Sequence, residues 1–383
     1  MKRAAISPGA ATWALRAQFF VAGALFATWG VHVPSIKAHY GLGEQALAIA
    51  MMAAGLGSVA ALLYAGKVLA RHSPRRIIPV LALVCTAAIG SLLLPGAYGW
   101  LLLLMLAYGM AAALFDVAIN DEATVIERGA GRPLMSGFHC MFSLGGMAGA
   151  ASWRLLSAAG VSPMQHLAGA AGALASLALA ASAFMLRQDR AVAAGGSPLS
   201  LPRGPLLLLG VLAATGLVAE GAMYDWSVLY LRQELDAPAS TASLGYASFS
   251  AAMAAGRFGG DRVRARMSPV ALLRSSGALA VIGMGLALAA AHPWAALAGF
   301  ALVGLGFANV VPVLFSAAGQ VAGVPPAQGI AAVSSVGYFG MMVGPPLIGF
   351  IAQVRSLSAG LLVVIVFAVL VSGLARRALR PPR

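Results

Sequence analysis

Three carboxyl groups lie well inside long apolar stretches of this chain, Glu220 and Asp225 within 205–231 and Asp116 within 100–122, while Asp121 and Glu122 stand at the end of the latter stretch, where they are expected to reach water. If those stretches cross a bilayer, each ionisable side chain costs roughly 3 kcal/mol to insert and is expected to face a cavity where it has a function. Glu220 is near the middle of its stretch, where desolvation penalises the charge, so it is the first candidate for a coupling proton. A structural pairing with an intramembrane base or hydroxyl, or direct contact with a solute, are its other possible roles. Asp116 is the alternative proton carrier; with Asn120 four residues on, it shares one helical face. Asp225 stands a turn or more from Glu220 toward the other end and could serve as a gate, a cap or a ligand.

Around these acids the sequence supplies rings and amides: Trp29, His32, Asn120, His139, Tyr224, Trp226, Asn309 and Tyr338. Rings offer flat apolar faces and amides offer paired donors and acceptors, a combination suited to a small polyhydroxylated ligand. The competing reading is the aromatic belt at a membrane interface, which suits Trp100, Trp153 and Trp294 better. His139 shares a face with Ser143 and is either a proton relay or a hydrogen-bonded packing residue. Ser143, His139 and Asp116 do not make a hydrolase triad, because no nucleophile elbow accompanies them. Neither an enzyme activity nor a cofactor is expected. Cys85 and Cys140 fall inside apolar stretches without zinc-like spacing, so they are packing residues rather than metal ligands.

What positions these residues is a rhythm of apolar segments, each about as long as a bilayer crossing. Hydrophobic residues make up 60% of the chain and charged residues 9%, with a mean hydropathy of +0.88; soluble domains carry roughly a quarter charged residues. Twelve spans fit, near 13–36, 45–68, 77–95, 100–122, 134–158, 166–186, 205–231, 241–260, 270–290, 294–317, 329–353 and 358–375. The expected fold is an all-α integral membrane protein. Its first apolar segment is too long for the h-region of a signal peptide and should remain as a span.

Lys and Arg number 25 against 11 Asp and Glu, a formal charge of +14. The bases gather in alternate loops: Arg71, Arg75, Arg76, Arg128, Arg132, Arg187, Arg190, Arg203, Arg262, Arg264 and Arg266 on one side, little beyond Lys37, Arg232 and Arg355 on the other. That asymmetry is topological and needs no nucleic acid; it places the basic loops and both termini in the cytoplasm of a bacterial cell, with the protein multi-pass in the inner membrane.

Between Arg187 and Gly204 the apolar rhythm breaks into a polar segment with Gly195, Gly196, Ser197, Pro198 and Pro202. It divides the chain into a six-helix half 1–186, a cytoplasmic linker 187–204 and a six-helix half 205–383. The halves repeat: Pro133, Gly137, Ser143 and Gly145 stand 192 positions before Pro325, Gly329, Ser335 and Gly337, and Arg71 stands 191 before Arg262. Two stretches agreeing within one residue on an offset of about half the chain indicate duplication and pseudo-symmetric halves. Such parallel repeats occur in transporters that alternate access around a site between two halves.

These features resemble the major facilitator superfamily over essentially the whole chain. The family's basic loop after spans two and eight is matched by Gly256-Arg257-Phe258-Gly259-Gly260-Asp261-Arg262, while the first copy, Gly66 to Arg71, has Ala70 where the family usually has Asp. The resemblance makes Arg71, Asp261 and Arg262 gating candidates; Asp225 is a further gating candidate from its position toward the opposite end of span seven. The runs Asp116-Val117-Ala118-Ile119-Asn120, Glu127-Arg128, Gly131 to His139 and Glu220-Gly221-Ala222-Met223-Tyr224-Asp225-Trp226 are similar to the MosC-like branch, described as sugar-type permeases related to fucose permease. That likeness implies an acid in span four, at or near Asp116.

The leading expectation is a secondary transporter, acting as a monomer, that moves a small sugar-like or polyol-like solute by proton-coupled alternating access. A proton-driven exporter of drugs or amphiphilic metabolites is the alternative; Asn120 and Asn309 favour the first. A receptor or scaffold would need a sizeable extramembrane segment, and an ATP-driven pump a Gly-rich phosphate loop followed by Lys and Ser or Thr. Neither feature is seen in the sequence.

Overall fold

In a computed structural model the chain is described over residues 7–42, 44–94, 96–186, 203–242 and 244–379. The linker 187–204 therefore lies outside the described residues apart from Arg203 and Gly204.

The described residues form helices and their connections. In chain order these are α1 (Pro8–Tyr40), α2 (Glu44–Arg71), α3 (Pro74–Gly90), α4 (Tyr98–Ala130), α5 (Met135–Ala158), α6 (Pro163–Ser182), α7 (Pro205–Gln233), the single turn α8 (Ala239–Ala242), α9 (Leu244–Arg266), α10 (Pro269–Ala289), α11 (Pro293–Phe307), α12 (Val310–Ala318), α13 (Pro326–Val354) and α14 (Leu357–Ala378). Among them nine segments are long and apolar enough to cross a membrane, α11 and α12 counting as one. The remaining long helices are the 17-residue α3, α5, and α9, which ends in Arg264 and Arg266.

Helix boundaries follow local chemistry. Proline occupies the first turn of α1, α3, α6, α7, α10, α11 and α13, where its missing N–H costs nothing. Ser7, Ser162, Ser268 and Ser356 cap helices by accepting a backbone N–H three residues on, and Gln165 completes a capping box with Ser162. The turns out of α1 and α4 use Gly41 at φ 62° and Gly131 at φ 61°, left-handed positions that glycine adopts without a Cβ clash.

The chain divides into two compact units: Met1–Gly131 with Phe138–Ser200, and Arg132–Gly137 with Leu201–Arg383. In the first, α2 packs on α4, α3 on α4 and α6, and α1 on α6. In the second, α9 packs on α11, α10 on α11 and α14, and α7 on α14. The neighbour pattern is the same if α1–α6 are matched to α7, α9, α10, α11 with α12, α13 and α14, which is the repeat expected from the offset of about half the chain. Close approach of α1 and α5 depends on glycine: a Cβ on Gly145 would collide with the Phe20 carbonyl, and one on Gly23 with that of Phe142.

Trp13, Phe26, Leu103, Leu155, Phe258, Phe350 and Val366 are each more than half exposed. A water-soluble surface does not display large side chains at this density; a lipid-facing one does.

Candidate functional site

In the second unit α7 and α9 bring five polar or aromatic groups together. Glu220 Oε2 accepts a hydrogen bond from Arg257 Nη2 at 3.0 Å, and this is an ion pair with little exposure on either side. Arg257 also donates through Nε to the Ala308 carbonyl at 3.4 Å. The Tyr224 hydroxyl, one turn along α7, reaches Glu220 Oε1 at 3.4 Å. Its ring lies 4.9 Å from that of Tyr246 and 5.2 Å, edge-on, from Phe249. A carboxylate and a guanidinium held side by side can each bind hydroxyls, and the adjacent rings supply a flat apolar wall.

Three of these groups, Arg257, Tyr246 and Phe249, were not singled out as site residues by sequence reasoning. Arg257 was read as part of the basic loop pattern. The available signal was its position inside the predicted span 241–260, since an intramembrane base is as costly as an intramembrane acid.

In the first unit Asp116 and Asn120 meet, as their spacing on α4 required. Asn120 Nδ2 donates to the Asp116 backbone carbonyl at 2.9 Å and to Asp116 Oδ1 at 3.1 Å, while Asn120 Oδ1 is buried with no partner among the described residues. Asp116 thus faces an amide, whereas Glu220 faces a cation.

A third constellation involves the segment 132–137. The Asp261 carboxylate at the end of α9 accepts the backbone N–H groups of Ser136 at 2.9 Å and Gly137 at 2.8 Å. These belong to the first turn of α5, whose donors have no partner within the helix and carry the positive end of its dipole. Arg264 lies 3.5 Å from the same carboxylate. Ser136 Oγ donates to Asn309 Oδ1 at 2.7 Å, and Asn309 Nδ2 donates to the Gly256 carbonyl at 3.2 Å. Asn309 sits in the break between α11 and α12, and Gly260 leaves room for it: a Cβ there would overlap the Asn309 side chain.

The other sequence candidates lie elsewhere on the helices, except Asp225, whose charge acts on Tyr246. Asp225 is exposed on α7, and Arg71 and Arg262 are exposed at helix ends. Trp226 packs its ring toward Gly349 of α13 and leaves Nε1 buried without a partner among the described residues. Tyr338 is half-buried on α13 and Trp29 buried on α1. His139 is buried with its ring 5.3 Å from Phe19, edge to face. His32 is fully buried against His166 and Trp153.

Two similar helical units, each with long apolar helices and buried polar side chains, define a multi-pass membrane protein. The Major Facilitator Superfamily model matches residues 14–327, and the chain belongs to that superfamily. It is 34% identical over 378 residues to an uncharacterized MFS-type transporter of Yersinia pestis, covering 98% of each chain. It is 32% identical to the membrane protein MosC of Rhizobium meliloti, over 93% of this chain and 87% of that one. Among solved structures, a variant of the E. coli fucose:proton symporter FucP superimposes with a TM-score of 0.79 at 14% identity, covering 96% of this chain and 98% of that one. The proton:xylose symporter XylE gives 0.76 at 12% identity, covering 97% and 96%.

Proposed function

We propose that this transporter moves a small sugar-like or polyol-like solute across the bacterial inner membrane by proton-coupled alternating access, from two six-helix halves, 1–186 and 205–383, with both termini cytoplasmic. The observation that carries the reading is the Glu220–Arg257 pair beside Tyr224 and Tyr246. A polyol offers vicinal hydroxyls to the paired charges and a C–H face to the rings. That FucP and XylE are named as proton symporters of fucose and xylose supports the same solute class. Asp116 is the proton carrier in this scheme. Its carboxyl is met by an amide, so its charge is not tied to a fixed cation and can change as water reaches it.

The test is a ligand-stabilisation screen on the purified protein followed by uptake into proteoliposomes. A bound solute at about 100 times its Kd raises stability by about 2.7 kcal/mol, so sugars or polyols of the right shape should raise the melting temperature by several degrees. The same compounds should accumulate when a proton gradient is imposed. Stabilisation by amphiphilic drugs alone would replace this reading with the exporter.

Asp261 is the gating residue in the scheme because it holds the first turn of α5. Asp261→Asn removes the negative charge from the helix terminus and replaces one of the two accepting oxygens with an NH2 group, which cannot accept. Such a contact is worth up to about 2 kcal/mol, so exchange between the two access states should change rate by roughly tenfold while equilibrium solute affinity stays within about threefold. A loss of affinity with an unchanged exchange rate rejects the gate.

A further inference from the structure

The strongest feature outside these constellations is a pair of histidines in the first unit. His32 on α1 and His166 in the first turn of α6 are buried, at 0% and 3% exposure. They lie at the end of the unit where α1 and α5 finish and α6 begins. His32 Nε2 and His166 Nδ1 are 2.8 Å apart. Each outer nitrogen meets a hydroxyl: His166 Nε2 is 3.0 Å from Ser152 Oγ, and His32 Nδ1 is 3.4 Å from Ser35 Oγ. The Trp153 ring covers both, 4.4 Å from His32 and 5.3 Å from His166.

The proton positions follow from one end of this chain. Ser152 Oγ gives its single hydrogen to the Gly149 carbonyl at 2.7 Å, so at its contact with His166 it must accept. His166 therefore carries its hydrogen on Nε2, which leaves Nδ1 bare. His32 must then donate from Nε2, leaving its own Nδ1 bare to accept from Ser35. Four hydrogen bonds thus run in one direction from Ser35 to Gly149, each imidazole giving one and taking one.

We propose that His32 and His166 form a proton-binding site that takes up a single proton and shares it between the two rings, separate from the carboxyls at Asp116 and Glu220. A proton enters at His32 Nδ1, and the Ser35 hydroxyl turns from donor to acceptor. The Nε2 hydrogen can then pass to His166 Nδ1, so the positive charge moves between the rings while the 2.8 Å contact is kept. A second proton would place N–H against N–H across that contact and must separate the rings. The two histidines consequently titrate as one group.

Among the described residues no carboxylate and no other cation contacts either ring; the facing groups are Ser35 on α1, and Ser152 and Trp153 on α5. Helices α3 and α4 pack beside α1, and α3 beside α6. At this end they bring Cys85, Tyr98 and Tyr108, with Asp116 deeper. Tyr98 donates to the Ala46 carbonyl, and none of the four touches the pair. Lys37, His39 and Tyr40 lie beyond His32 on α1, and Tyr40 donates to the Leu92 carbonyl. The site stands whichever solute is carried.

Trp153 provides the readout, because an imidazolium in contact with an indole ring quenches its fluorescence, and both imidazoles lie against this ring. The intact protein in nanodiscs is titrated from about pH 8 to about pH 4, a range that brackets imidazole titration, and the signal of Trp153→Phe is subtracted to isolate Trp153. The expected result is a quench that follows a one-proton curve and is lost in the double variant His32→Gln/His166→Gln. The single variant His166→Gln keeps a hydrogen-bonding amide against His32 and so protects the fold. It should move the midpoint by about one pH unit or more, the size of one charge-assisted hydrogen bond. A flat wild-type signal, a two-proton slope, an unmoved midpoint in His166→Gln, or a quench that survives in a folded double variant each overturns the proposal.

Discussion

Asp116→Asn is expected to abolish uphill accumulation of solute driven by a pH gradient and to leave counterflow, which needs no net proton movement, within about threefold of wild type. The reason is the difference between the two acids in the bundle. Asp116 accepts from Asn120 at 3.1 Å, and asparagine at position 116 can accept the same hydrogen bond, so the local packing survives while the titratable oxygen is lost. Tenfold accumulation represents about 1.4 kcal/mol of coupled work, and none of it remains once the carrier cannot release its proton. Proteoliposomes loaded at a higher internal pH, assayed for net uptake and for exchange in parallel, separate the two outcomes. If Asp116→Asn still concentrates solute while Glu220→Gln does not, the coupling role belongs to α7.

Glu220→Gln is expected to act differently, on the fold and on binding together. Arg257 is 4% exposed and its guanidinium rests on Glu220 at 3.0 Å. Removing one partner of such a pair leaves a buried charge uncompensated and costs roughly 3–5 kcal/mol. The variant should melt well below wild type and lose most of its solute-dependent stabilisation. The double variant Glu220→Gln/Arg257→Met removes both charges and should recover most of the melting temperature, yet it should not recover solute binding, because no charged fork or carboxylate is left to hold hydroxyls. Melting curves with and without solute for the wild type, the single and the double variant decide this. Full recovery of transport in the double variant would show that the pair is only structural.

The aromatic groups beside this pair divide in the same way. Tyr224 and Tyr246 present their rings next to the charged groups, whereas the Trp226 ring, two residues from Tyr224, is turned toward α13. A helix of about 3.6 residues per turn puts positions 220 and 224 on one face and 225 and 226 on others. The cluster Glu220-Gly221-Ala222-Met223-Tyr224-Asp225-Trp226 therefore contributes Glu220 and Tyr224 to the candidate site, sets Asp225 where its charge acts on Tyr246, and leaves Trp226 out.

The membrane class, the spans and the duplication were legible in the chain alone, because they depend on properties that accumulate along it. Apolar length sets the number of crossings, and proline and serine at helix starts act on the nearest turn, as at Ser162-Pro163 and Ser268-Pro269. Pairs four apart on one helix were equally accessible: Asp116 with Asn120, and Glu220 with Tyr224. Which partners an acid acquires from another helix was decided only by tertiary packing. Glu220 and Arg257 are separated by 37 residues and Ser136 and Asn309 by 173; their contacts depend on how α7 meets α9 and on where the break between α11 and α12 falls. Asn309 illustrates the limit: as an amide in an apolar span it is equally suited to a solute or to a neighbouring helix. The choice rests on geometry, since its oxygen is bonded to Ser136 and its nitrogen to the Gly256 carbonyl. His32 is the same case, a polar side chain whose meaning changes once His166, 134 residues away, is found 2.8 Å from it. Sequence spacing determines faces along one helix, and helix packing determines which faces meet.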